Sequence, residues 1–152
     1  MESARSIGIV YEATNQLNYD IVNDFLKFLK EKQKSVKVIG YIPERKLFQD
    51  YYLKLGFDFF SYSDVNWYLK PTKLSVIDFI DTDFDVFIDL STKQHFPLDY
   101  IAAASKAKFK IGRFVEGTKT PYDMMIHTDK IKSLEEYIET IKLYFTTINK
   151  IA

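Results

Sequence analysis

The sequence predicts an α/β domain in which helices cover both faces of a mostly parallel sheet. Three observations lead there. Residues 84–114, FDVFIDLSTKQHFPLDYIAAASKAKFKIGRF, read as an apolar strand, a loop, a helix from about Pro97 and a second strand, which is one β-α-β crossover. Residues 6–42 repeat the same order of strand, helix and strand. The C-terminal segment then opens on Ser133-Leu134-Glu135-Glu136, the pattern of a capping box, and continues as a long helix.

Taken in order, Ser6–Glu12 is continuous and β-branched enough for a central strand. Asn15–Asn18 reads as a polar loop, with Asn18 as the N-cap of a helix over Tyr19–Lys32. Ile21, Val22, Phe25, Leu26, Phe28 and Leu29 give that helix one apolar face. Val36–Ile42 is the second strand and Phe57–Tyr62 the third, with a weak helical signal at Leu47, Tyr51 and Leu55 between them. Asn66 to Pro71 is a loop. Thr72–Ile80 has Leu74, Ile77, Phe79 and Ile80 at helical spacing and leads into the strand Asp85–Leu90. Pro97 suits a first helical position, and the helix after it carries Ala102, Ala103 and Ala104, small enough to approach a sheet closely. Phe109–Phe114 and Tyr122–His127 complete the strands. Leu134, Tyr137, Ile138, Ile141, Tyr144, Phe145 and Ile148 form the apolar stripe of the last helix. The expected architecture is one domain over residues 1–152, a three-layer Rossmann-like sandwich with a mostly parallel five- to six-stranded sheet. Its expected strand order is 3-2-1-4-5-6.

Composition excludes several functions. The chain has 152 residues and no cysteine, so thiolate metal sites, iron–sulfur clusters, a cysteine nucleophile and disulfides are ruled out. Acidic and basic residues balance at 21 each, and only Arg5, Arg45 and Arg113 carry guanidinium groups, the usual tools for clamping phosphates and reading guanine. Nucleic acid is therefore disfavoured as a partner, and Lys106, Lys108 and Lys110 read as a solvated surface. The first fifteen residues hold no secretory apolar core, and no apolar run approaches the ~20 residues of a membrane span. A cytoplasmic protein without a membrane segment is the expectation.

A ligand of an open parallel sheet binds beyond the carboxyl ends of the strands, where strand order reverses. Here that is between the first strand and the one ending at Asp89. The facing loops supply Thr14 and Asn15 on one side, Ser91 and Lys93 on the other. Arg113 and His127 end neighbouring strands. Asp89, at the end of an apolar strand, is read as an acid, base or ligand anchor, or as a carboxylate bonded to the backbone N–H groups of its own loop, with the second favoured. The first loop lacks the glycines of a dinucleotide fingerprint, no phosphate-binding G-x-x-x-x-G-K-[ST] occurs, and no G-x-S-x-G surrounds Ser91. His95 and His127 are far apart without a carboxylate at metal spacing. No cofactor, metal or catalytic residue is therefore expected. Trp67, between Asn66 and Tyr68, is a candidate interaction point.

Two resemblances add to this. The run FDVFIDLS, the helix YIAAASKA and the strand FKIGRF resemble the N-terminal Rossmann-like domain of heptosyltransferase-like GT-B glycosyltransferases over about thirty residues. Those enzymes need a second such domain for the nucleotide sugar, so this resemblance implies a fold and not an activity. Over nearly its full length, through IGIVYEATN, VIGY, FDFFS, NWYLKP, FDVFIDLS, FPLDYIAAASKAKFKIGRF and YDMMI, the chain resembles a family of small cytoplasmic Bacteroidota proteins without an assigned function. The leading expectation is a non-catalytic binding or regulatory domain acting through macromolecular interaction, with a protein as a possible partner. The alternative is a small-molecule or nucleotide-sugar binder using the loops at the strand-order reversal.

Overall fold

The structure is a computed structural model that describes residues 4–44, 56–66, 70–117 and 119–151. Six strands form one sheet: β1 (Ser6–Glu12), β2 (Ser35–Ile42), β3 (Phe57–Ser61), β4 (Val86–Asp89), β5 (Phe109–Arg113) and β6 (Met124–Ile126). Their order is β3-β2-β1-β4-β5-β6, as expected, and every neighbouring pair is parallel. Four α-helices are described: α1 (Gln16–Glu31), α2 (Leu74–Asp81), α3 (Phe96–Ala104) and α4 (Leu134–Ile151).

Alternation along each strand sorts side chains into two cores. Ile7, Ile9 and Tyr11 of β1 face Val22, Phe25, Leu26 and Leu29 of α1 and Tyr137, Ile138, Ile141 and Phe145 of α4. On the opposite face Val10, Ile39 and Phe87 meet Val76 and Phe79 of α2 and Leu98, Ile101 and Ala102 of α3. Both faces of the sheet are thus covered, which is why its strands are continuous apolar runs and not polar–apolar alternations. Outside the sheet, Asp85 clamps the amino ends of β4 and β1 together: its Oδ2 accepts the backbone N–H groups of Arg5 at 2.8 Å and Ser6 at 3.2 Å.

Several local expectations are corrected. Helix α1 starts one turn earlier than Asn18, because Asn15 is the N-cap and its side-chain oxygen accepts the Asn18 N–H at 2.8 Å. The helix closes with the paired bonds of a Schellman turn, Lys34 N–H to the Leu29 carbonyl and Gln33 N–H to the Lys30 carbonyl, with Gln33 at φ 62°. In α2 the buried face is Val76 and Phe79, whereas Leu74 and Ile77 are exposed. Tyr144 likewise lies outside the buried stripe of α4. At the start of α4, Ser133 Oγ accepts the Glu136 N–H, and the Glu136 carboxylate reaches one residue further back than a standard box, to the Lys132 N–H. Tyr122 precedes β6 instead of belonging to it. Leu47, Tyr51 and Leu55 lie outside the described residues.

Lys106 pairs with Asp81 at 3.5 Å, Lys108 with Asp85 at 3.3 Å, and Lys110 Nζ bonds the Ala103 carbonyl. Two of the three lysines thus face carboxylates, so they do not present an unpaired cationic strip. Among the described residues no helix is long and apolar enough to cross a membrane.

Candidate functional site at the carboxyl rim of the sheet

Because β1 and β4 are adjacent and their helices leave toward opposite faces, the carboxyl ends of these two strands open a crevice. It takes the form of a cavity of about 400 Å³ on the α1/α4 face. Glu12 and Leu90 form its floor at the strand ends. Leu17, Asn18 and Ile21 of α1 stand on one side, and Ile131, Lys132, Ser133 and Leu134 stand on the other, where α4 begins. Thr92 and Thr128 close it from the loops after β4 and β6.

Glu12 is approached from the far side of the switch point, at ion-pair distance and outside hydrogen-bond geometry. Nε2 of His95, the residue before α3, lies 3.1 Å from Glu12 Oε2, and both side chains are largely buried. The His95 ring holds the Glu12 carboxyl below the usual carboxylate range, against the opposing pull of burial. The ring also sets its edge on Tyr41, with centroids 5.5 Å apart. Asn18 is fixed through its Nδ2, which donates to Thr14 Oγ1 at 3.1 Å and to the Glu12 carbonyl at 3.4 Å. Among the described residues, Glu12 Oε1 and Asn18 Oδ1 have no hydrogen-bond partner. The cavity therefore offers two oriented acceptors against an aliphatic wall.

A second group of polar side chains surrounds Asp89, which is buried, as is Ser91. Asp89 Oδ1 accepts the Ser91 N–H at 2.8 Å and the Ser91 hydroxyl, and Oδ2 accepts the Tyr122 hydroxyl. The Tyr137 hydroxyl, from the opposite face, donates to the Asp89 carbonyl at 3.0 Å. Burial pushes the Asp89 carboxyl up, and the bonds from Ser91 and Tyr122 pull against it. Burial and the neighbouring Asp89 push the Tyr122 hydroxyl up, so it is a proton donor and not a phenolate. Arg113 Nη1 donates to the Lys93 carbonyl at 2.8 Å and to Ser91 Oγ at 3.4 Å. Gly112 makes the Tyr122 position available: a Cβ there would penetrate the Tyr122 ring.

The residues singled out from sequence thus fall into three places. Asp89, Ser91, Lys93 and Arg113 form one network. Thr14 and Asn15 build the start of α1, beside the larger cavity but not lining it. His127 packs its ring at a tilt on Phe114 with centroids 4.2 Å apart and belongs to neither group. Trp67 lies outside the described residues. Glu12 and Tyr122 are not among the residues the sequence singles out: Glu12 reads as the last residue of a strand and Tyr122 as the first of another. A carboxylate closing an apolar strand at the reversal was the available signal for Glu12, the same signal that drew attention to Asp89.

With this geometry in hand, comparison with known families is decisive at one level: residues 1–148 match a family of unknown function, DUF6913. The chain belongs to that family. No curated protein matches this DUF6913 chain, and no solved structure does. The full-length resemblance to a family without an assigned function holds at that level, while the resemblance to glycosyltransferases gains nothing from these comparisons.

Proposed function

We propose that this DUF6913 chain is a non-catalytic binding domain for a small molecule whose hydroxyl or amino groups lie on one edge and whose C–H face lies on the other, as in a free sugar or amino sugar. The observation that carries the reading is the pair of unengaged acceptors, Glu12 Oε1 and Asn18 Oδ1, at the floor and side of a cavity of about 400 Å³ at the switch point. Unpaired acceptors recognise donors, and leaving them unpaired disfavours a ligand without donors. Leu17, Ile21, Leu90, Ile131 and Leu134 supply the aliphatic surface for the C–H face. A diphosphate fits less well: among the described residues Lys132 is the one cationic side chain in the lining, the nearby charge of Lys93 already acts on Glu12, and the loop after β1 has no glycine to bring its backbone close. The expectation of a macromolecular partner rested on the absence of a catalytic constellation and on the aromatic-rich composition with Trp67 in a loop; Trp67 lies outside the described residues, and exposed apolar side chains are what would support that reading. Those described, such as Leu17, Leu74, Phe96 and Leu143, sit on four different helices, and scattered exposed apolar residues are ordinary on soluble proteins.

The test is a thermal-shift screen of free sugars, amino sugars and sugar nucleotides against the wild type and Glu12→Gln. A compound at a hundred times its Kd adds about 2.7 kcal/mol of stability. Stabilisation by amino sugars or sugars that drops in Glu12→Gln supports the reading. A folded protein indifferent to the whole panel, or stabilised equally in both forms, overturns it.

A further inference from the structure

The connection from β5 to β6, residues 114–123, joins two parallel strands without a helix among its described residues. The crossovers over α1 and α3 seal the sheet with a helix; this one arches over the α3 face and leaves a cavity of about 220 Å³. The cavity is separate from the larger one: no described residue lines both. Its wall is apolar, formed by Ala103 of α3 with Val115, Pro121 and Tyr122 of the connection. A cavity of about 150 Å³ accommodates a benzene ring, so there is room for a ring and a small polar group.

The polar group is specified by Arg113. Its Nη1 is committed to the Lys93 carbonyl and Ser91 Oγ, which orients the guanidinium plane, while Nη2 and Nε have no partner among the described residues. Lys119 adds a second positive charge to the lining. Among the described residues the one carboxylate in the lining, Asp99, already accepts the Gln94 side-chain amide at 3.2 Å. Asp89 is buried outside the lining with its Oδ2 covered by the Tyr122 hydroxyl, and Arg113 acts on it by charge without a hydrogen bond. A half-committed guanidinium beside an apolar wall matches a carboxylate joined to an apolar body, because the planar fork of arginine pairs with both carboxylate oxygens. We infer that this cavity under the β5–β6 connection is a binding site for a small apolar monocarboxylate, held by Arg113. The inference stands apart from the sugar-binding reading, since it uses a different cavity and different residues.

The experiment is a titration followed by backbone amide shifts in two-dimensional NMR, with benzoate, phenylacetate and isovalerate as carboxylates and benzamide as the uncharged isostere of benzoate. At least one carboxylate is expected to shift the Val115, Thr120 and Tyr122 amides saturably, with benzamide about tenfold weaker than benzoate or worse, the scale of a hydrogen bond to a charged group. Arg113→Gln is expected to weaken carboxylate binding by about the same factor. Ala103→Phe, at an exposed helix position, fills the cavity without touching the Arg113 bonds and is expected to abolish binding with an unchanged melting temperature, so the test survives if Arg113→Gln fails to fold. The inference is overturned if no carboxylate gives saturable shifts, if benzamide matches benzoate, if binding survives Ala103→Phe, or if the shifts fall on Leu17, Thr92 and Thr128 instead.

Discussion

The hydroxyl of Tyr122 donates to Oδ2 of Asp89 and thereby fastens the segment entering β6 to the buried carboxyl end of β4. With the two bonds from Ser91, it leaves neither carboxylate oxygen of Asp89 unpaired. A buried carboxylate is tolerated only when satisfied in this way.

Tyr122→Phe removes that donor while keeping the ring. The expected loss is about 1–3 kcal/mol, the cost of leaving a buried acceptor unpaired, read as a lower urea midpoint at unchanged m-value. A loss within ~0.5 kcal/mol, the scatter typical of surface changes, would mean that water replaces the hydroxyl.

Gly112→Ala tests the same arrangement from β5. The new Cβ has no room beside the Tyr122 ring, and the ring is pinned by Asp89. About 1–3 kcal/mol of destabilisation is expected, as for overpacking elsewhere. In the double variant with Tyr122→Leu the two losses should fall well short of additive, since the second change removes the obstacle to the first. Additive losses in equilibrium denaturation would place the strain elsewhere.

Asp85 and Asp89 lie at opposite ends of the β4 region and should give stability profiles of opposite slope. The Arg5 and Ser6 N–H groups hold the Asp85 carboxyl at about 2, below its unfolded value of about 3.9. Its contribution is complete above ~4 and is lost as pH falls toward 2. Asp85→Asn should therefore be less stable than wild type at neutral pH and lose less between pH ~4 and ~2. Asp89 is raised by burial, so the folded state holds its proton more tightly than the unfolded chain does. Stability is lost as pH rises from ~4 through the folded value, and Asp89→Asn should flatten that decline. Chemical denaturation at a series of pH values reads both, and parallel profiles for the two variants would contradict the assignment.

Most of the fold was legible because a parallel sheet buried on both faces writes itself as apolar runs, and VFID and IGIVY are such runs. Strand order followed from the repeated crossover. The start of α1 was displaced because Asn15 and Asn18 are both good caps three residues apart, and they belong to the same cap. The stripe of α4 was read too wide at Tyr144, since spacing reports which residues share a helix face and not how far the partner surface extends. Of the site, Asp89, Ser91 and Arg113 were visible as polar residues at strand ends. Tyr122 was not: its role depends on how residues 114–123 fold back over β4, and no local pattern of apolar spacing encodes that path. Glu12 and His95 meet only because β1 and the segment before α3 are brought to one rim, a contact between residues distant in sequence.

The acceptors at the β1/β4 crevice are tested most directly by amide-shift mapping with glucosamine and glucose on isotope-labelled protein. Saturable shifts concentrated at Leu17, Asn18, Thr92, Thr128 and Lys132, weakened in Glu12→Gln, are the predicted result. Shifts scattered over other surfaces, or none from either compound up to millimolar concentration, would contradict it.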